Sequence, residues 1–230
     1  MHQMVDGHAG VGRTLYDVLS PNQLSELTRG WRRMECTRGE SLIEQGVPSS
    51  YVYFVEEGVF RVDRLVEDGR SWLQAFRSAG DSLGETAVLY GPAPRTARVR
   101  AHTECRVLVC QPSFFNQQLT RTDTNENFLR YLVSRSRETE AVQGPGDPEV
   151  RMAGLVRPLV RHAQRLRGFH AKEVVISVSR NHLSQGLRLG RDRTDRLVET
   201  LSIGGYRQNG RLTINLARWE EIVSRLGLWH

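Results

Sequence analysis

From about Gly39 to Gln111 the chain is written in short apolar or alternating runs, "YVYFVEEGVFRVDRLV", "SWLQAF" and "CRVLVC", divided by turns at Gly46, Gly58, "EDG" and "AGD". Period-two runs of this length and spacing predict an antiparallel barrel or jelly roll. Ahead of them, "SPNQLSEL" predicts a short helix, with Ser20 as cap, Pro21 at the first helical position, and Leu24 and Leu27 on one face. Behind them the period changes. In "PSFFNQQLTRTDTNENFLRYLVSRSRETEAV" the apolar positions Phe128, Leu129, Leu132 and Val133 follow helical spacing, which predicts one helix from about Asn125 to Val142.

"QGPGDP", residues 143 to 148, sustains neither period and reads as a hinge. Asp147 can cap the next helix with Pro148 at its first position, and Pro158 is expected to kink that helix or end its first half. Residues 176 to 216, "ISVSRNHLSQGLRLGRDRTDRLVETLSIGGYRQNGRLTINL", then predict a strand, two short helices and a hairpin. Ser179 caps the first helix. Gly190 opens the second, whose Leu197, Val198 and Leu201 face a core. The Asn-Gly pair between Tyr206 and Ile214 is a strong hairpin signal. The closing "ARWEEIVSRLGLW" is amphipathic, with Trp219, Ile222, Val223 and Leu226 turned inward. The class is α+β, in three parts: a β-roll over 1–120, a long helix and hinge over 121–147, and a helix-and-hairpin module over 148–230.

Charge sharpens this division. Residues 1–150 carry 17 arginines against 20 acidic residues, a net of −3, while residues 151–230 carry 15 basic against 6 acidic residues, a net of +9, in agreement with +6 for the chain. A basic last third suggests a polyanionic partner, a solvated basic surface being the plainer alternative. Cys36, Cys105 and Cys110 form no Cys-x-x-Cys pattern, so a disulfide framework, an iron–sulfur cluster and a thiolate metal site are not expected. His102, a lone histidine on a strand, is read as surface or core and not as a haem or metal ligand. The N-terminus lacks the basic and apolar regions of an export signal, and no apolar run approaches membrane-spanning length. A cytoplasmic protein without a membrane partner is expected. Neither His-Glu-x-x-His nor a P-loop is present, and the seven histidines form no catalytic pattern, so an enzyme is not expected.

Two constellations carry candidate chemistry. In "GETAVLYGPAPRTARVRA", backbone N–H groups near Gly84, Glu85, Thr86 and Ala87 can cradle an anionic oxygen, Arg95 offers a forked contact to the same phosphate, and Thr96 adds a hydroxyl. Glu85, repelled by phosphate, suits a sugar hydroxyl nearby. An Arg–Glu ion pair across a hairpin would give the same spacing. In the second constellation Arg191, Asp192, Arg193, Asp195 and Arg196 lie on or near the exposed face of the N-terminal half of one helix. Arginine can read guanine O6 and N7, and aspartate can accept from cytosine N4, if that helix enters a major groove. A solvated charged face is the competing reading.

The texts "RGESLIEQG", "YVYFVEEGVFRV", "AGDSLGETAVL" and "RTARVRAHTECRVLV" stand in the order and spacing of the cyclic-nucleotide-binding domain of the CRP/FNR regulators, which the chain resembles over nearly its whole length. The resemblance implies a β-roll cyclic-nucleotide domain, a long dimerisation helix and a C-terminal winged helix-turn-helix. It implies that Glu85 holds the ribose 2′-hydroxyl and that Arg95, Thr96 and the backbone near Gly84, Thr86 and Ala87 hold the cyclic phosphate. Thr139, Glu140 and Ala141 are the candidates for base contact; cyclic AMP is the expected effector and cyclic GMP the alternative. Arg191, Asp192 and Arg196 match the family's recognition pattern, with Arg180, Arg193 and the wing residues Arg207 and Arg211 as further DNA contacts. A glycine is expected near position 188, where this chain has Arg188. The implied partners are a two-fold symmetric DNA operator and a second copy of the chain, with RNA polymerase as a further candidate. The implied function is a cyclic-nucleotide-responsive transcription regulator; the alternative is a DNA-binding regulator of the same type that no longer needs a nucleotide.

Overall fold

The computed structural model of the chain describes residues 12–48, 51–66, 71–85, 94–168, 170–208 and 210–227. They fall into two compact units, one of Thr14–Leu132 and one of Met1–Arg13 with Val133–His230.

The first unit begins with two short helices, α1 (Leu15–Val18) and α2 (Pro21–Leu27). The predicted cap of α2 is in place: Ser20 Oγ accepts from the Gln23 N–H at 3.2 Å, and Gln23 Oε1 accepts from the Ser20 N–H at 3.0 Å. Eight strands follow: β1 (Arg32–Cys36), β2 (Ser41–Ile43), β3 (Val52–Glu57), β4 (Val59–Leu65), β5 (Ser71–Ser78), β6 (Ser82–Leu83), β7 (Arg98–Ala101) and β8 (Cys105–Cys110). They pair as two antiparallel sheets, in the orders β1-β8-β3-β6 and β2-β7-β4-β5. Inward side chains such as Val55, Phe60 and Val107, all fully buried, form one core. A second core packs under the helices, where Phe54 and Leu108 of β3 and β8 meet Leu27 of α2, Phe115 of α3 (Pro112–Arg121), and Phe128 and Tyr131 of α4 (Asn125–Gln143).

In the second unit, Asp147 Oδ1 accepts from the Glu149 N–H at 2.8 Å and Pro148 opens α5 (Pro148–Arg167). Pro158 does not end the first half of this helix, since α5 continues to Arg167 with Pro158 buried inside it. A proline in a helix interior costs about 3 kcal/mol. The buried stripe of Met152, Leu155, Val156, Leu159 and Val160 offsets that, at about 1.5–3 kcal/mol per fully buried large side chain. After β9 (Glu173–Ile176) come α6 (Arg180–Leu187) and α7 (Arg191–Leu201), then β10 (Gly204–Tyr206), β11 (Leu212–Asn215) and α8 (Leu216–Arg225). The three strands form an antiparallel sheet in the order β10-β11-β9. Gly186 marks a close approach of α6 to α5, since a Cβ there would lie 2.4 Å from Leu155 Cδ2. Trp219 and Ile222 of α8 are buried as the pattern required, while Val223 and Leu226 are only half-buried.

Candidate functional site

The first unit brings the ends of "GETAVLYGPAPRTARVRA" together. Gly84 has φ +82°, and a Cβ on it would fall 2.2 Å from Arg95 Nη1, so only glycine fits both the backbone and the approaching guanidinium. Arg95 is anchored on both sides: its N–H donates to the Val47 carbonyl at 2.9 Å and its carbonyl accepts from the Gly46 N–H at 2.8 Å. Its side chain is buried, with Nη1 donating to the Gly84 carbonyl at 2.6 Å and Nη2 to the Tyr51 carbonyl. The guanidinium has five N–H donors, so these two contacts hold it in place without exhausting it. Thr96, the neighbouring hydroxyl, is exposed. Thr86 and Ala87 lie outside the described residues.

Glu85 is half-buried as a residue, while its Oε2 is fully buried and has no hydrogen-bond partner. Burial pushes its carboxyl up from the ordinary glutamate value, while its own backbone N–H and the charges of Arg77 and Arg95 pull the other way. Arg95 is in turn lowered by burial, against the favourable fields of Tyr53 and Glu85. The site therefore contains a buried carboxylate oxygen in need of a donor and a buried cation with donors remaining. A sugar hydroxyl and a phosphate oxygen satisfy those two needs in one ligand.

Tyr131 of α4, which the sequence pattern does not single out, belongs to the same neighbourhood. It is fully buried; its hydroxyl accepts from the Ser82 N–H at 2.8 Å and contacts the Ser82 carbonyl at 3.4 Å. Burial raises its phenol well above the usual value, and the charges of Asp81 and Glu85 act in the same direction. Its link to Ser82 is a contact across 49 positions, which no local motif announces. Gly80 to Gly84 also has the Gly-x-Ser-x-Gly spacing of hydrolase nucleophile turns. Here Ser82 lies in β6 and its buried Oγ has no hydrogen-bond partner, so no base is placed to activate it.

In the second unit Ser179 Oγ accepts from the His182 N–H at 3.2 Å, and Gly190 caps α7. Arg188 occupies the left-handed region at φ +54°, the place where a glycine was expected, and its guanidinium donates to the Gln143 carbonyl at 3.1 Å and to Gln143 Oε1 at 2.6 Å. On α7, Arg191, Asp192, Arg193 and Arg196 are exposed, while Thr194, Val198 and Leu201 are buried. Asp195 is drawn aside into an ion pair with Arg180 Nε at 3.3 Å, and the Arg180 guanidinium carbon sits 4.8 Å from the centre of the Tyr206 ring. Burial then raises the Tyr206 phenol to about 12, with Asp195 adding to the effect and Arg180 opposing it. Arg207 and Arg211 are exposed at the two sides of the β10–β11 hairpin, and Arg207 Nε donates to Thr213 Oγ1 at 2.9 Å. Asn209 of the turn lies outside the described residues.

Among the described residues no cluster of three or more His, Cys, Asp or Glu is placed to hold a metal ion, and Cys36, Cys105 and Cys110 are free and buried. Burial raises Cys36 to about 11 and Cys110 to about 12, which disfavours the thiolate that a metal requires. Among the described residues no helix is long and apolar enough to cross a membrane.

These features define a class: residues 33–122 match the family described as the cyclic nucleotide-binding domain. The chain is 25% identical over 126 residues to the CRP-like cAMP-activated global transcriptional regulator of Mycobacterium tuberculosis, covering 54% of this chain and 56% of that protein. It thus spans about half the length of the curated relative it matches. The fold is shared with the c-di-GMP responsive global regulator CLP of Xanthomonas campestris (TM-score 0.57, 17% identity, 85% of this chain and 99% of that one). It is shared equally with a CRP/FNR family transcriptional regulator of Thermus thermophilus (TM-score 0.57, 18% identity, 84% and 98%). Residues 33–122 thus carry a cyclic nucleotide-binding domain, and the fold is one that the chain shares with solved transcription regulators.

Proposed function

We propose that the chain is a cyclic-nucleotide-responsive, sequence-specific DNA-binding transcription regulator that acts as a homodimer in the cytoplasm. In this reading residues 1–120 bind the nucleotide, residues 121–147 form the dimerisation helix and hinge, and residues 148–230 form a winged helix-turn-helix with β10–β11 as its wing. The observation that carries it is the buried Glu85 Oε2 without a partner in the same site as the buried Arg95. Glu85 accepts from the ribose 2′-hydroxyl; Arg95, Thr96 and the backbone from Gly84 through Ala87 hold the cyclic phosphate. The nucleotide supplies binding energy that differs between two arrangements of the DNA-binding units, and only that difference can shift their populations. On α7, Arg191 and Arg196 read guanine and Asp192 accepts from cytosine, with Arg193, Arg207 and Arg211 on phosphates. Arg180 contributes by holding Asp195 and Tyr206, with its exposed edge toward the duplex. Two-fold symmetry places two such helices in successive major grooves about 34 Å apart.

A second reading keeps the DNA-binding role and drops the nucleotide. The hydrogen bonds of Arg95 to the Gly84 and Tyr51 carbonyls favour it, because the cassette then supplies its own partners. Calorimetric titration with cyclic AMP and cyclic GMP separately, on the protein and on Arg95→Ala at fixed salt, decides between them. Saturable binding of one nucleotide, lost in the variant, is expected and names the base; no heat with either leaves the second reading.

A further inference from the structure

On the sheet β2-β7-β4-β5 a cavity of about 150 Å³ is lined by Arg38, Gly39, Arg61, Arg100, Ala101 and His102, and not by Gly84, Glu85 or Arg95. Arg61 and Arg100 are direct partners across β4 and β7. Like charges directly opposite on neighbouring strands repel, so the pair requires an anion. Asp63, two residues beyond Arg61 and so on the same face of β4, meets part of that requirement. It is fully buried, with Oδ1 2.7 Å from Arg61 Nε and Oδ2 3.2 Å from Arg100 Nη2.

One carboxylate balances one guanidinium, and two face it. Arg38 adds a third at the mouth. Two further carboxylates stand near the β1–β2 turn and are turned to neutral donors: Glu104 accepts from the Arg38 backbone N–H at 3.1 Å, and Glu40 Oε2 from the Thr37 N–H and hydroxyl at 2.9 and 3.1 Å. His102, with its ring centre 5.0 Å from that of Phe76, forms a fixed wall that adds no negative charge. The cavity, at about 150 Å³, suits one tetrahedral oxyanion and is too small for a whole nucleotide.

We propose that this cavity binds a phosphate-sized oxyanion, either free phosphate or the phosphoryl group of a small phosphorylated molecule. Arg61 and Arg100 grip it from the sheet with the terminal nitrogens that Asp63 leaves unused, and Arg38 closes over it from the β1–β2 turn. Gly39 leaves the mouth open, as nothing lies within 4 Å of where its Cβ would be.

The test is calorimetric titration of the full chain with inorganic phosphate, with chloride at matched ionic strength as the reference. Saturable binding is expected, unchanged in Arg95→Ala and weakened about tenfold in Arg38→Ala, the usual effect of losing one charge-assisted contact. Arg100→Gln should abolish it; if that variant does not fold, Arg38, being exposed, decides alone. Titrating glycerol 3-phosphate into Arg95→Ala separates the sources: tighter binding than phosphate assigns a phosphorylated molecule, equal or weaker binding assigns the free ion. Heats equal to those of chloride, or undiminished binding by Arg38→Ala, overturn the site without touching the nucleotide cassette.

Discussion

At the scale of single residues, the energetics of the ligand-free site centre on Glu85. Its carboxyl is raised above the ordinary glutamate value, chiefly by burial, so the folded protein holds the proton at a pH where the unfolded chain has released it. Below the unfolded value both states are protonated and Glu85 costs nothing. As pH rises through the window between the unfolded and folded values the native state binds more protons than the unfolded, and stability falls before levelling off. Glu85→Gln removes that titration. Its ligand-free unfolding free energy at pH 7 is expected to exceed that of the parent, and the decline across the window should vanish. Denaturant melts from pH 4 to 8 measure both, and parallel curves for the two proteins would show that the carboxyl is solvated. The same change should weaken the binding of a ribose hydroxyl, so the site trades stability for an acceptor poised for ligand.

At the scale of elements, most boundaries were legible because they rest on local chemistry. Ser20, Asp147 and Ser179 cap the helices that follow them, each through a bond within three residues. The period-two runs became β3, β4, β5 and β8, and the period-3.6 run became α4. What local reading could not weigh was tertiary packing. Pro158 is a helix breaker by its own chemistry, yet the buried stripe of α5 outweighs it. Asp195 counts as a reading residue by spacing alone, and the ion pair to Arg180 from the preceding helix takes it aside. Tyr131 reaches Ser82 across 49 positions, and Arg95 finds the carbonyls of Gly84 and Tyr51, contacts that only the folded chain defines. The α6–α7 turn combines both kinds of information. Its left-handed position carries Arg188, whose side chain reaches Gln143. Arg188→Gly and Arg188→Ala lose those bonds equally and differ only in backbone freedom at φ +54°. The glycine variant is therefore expected to be about 1 kcal/mol more stable than the alanine variant. Chemical denaturation of both measures the difference, and equal midpoints would mean that the turn relaxes out of the left-handed region.

At the scale of the whole molecule, the excess of +9 over residues 151–230 and the exposed apolar pair on α4 belong to one proposal. Leu129 is 56% exposed and Val133 52%, four residues apart and so on one side of the helix. A second copy of the chain would cover them. Leu129→Arg is expected to convert a dimer into a monomer in sedimentation velocity while leaving the fold intact, since the side chain is already largely in solvent. DNA affinity should then report the number of protomers bound. Neutralising one phosphate contact lowers the slope of log K against log salt by about 0.9. Arg207 Nε is held by Thr213, which leaves its terminal nitrogens for phosphate. If the parent is the proposed dimer, Arg207→Gln should therefore reduce the slope by about 1.8, once per protomer, and in the Leu129→Arg background by about 0.9. Fluorescence anisotropy on one operator over a range of salt reads these slopes. An equal reduction in both backgrounds would mean that a single protomer contacts DNA, or that α4 is not the dimer seam. A twofold ratio joins the wing, the helix and the charge asymmetry in one assembly.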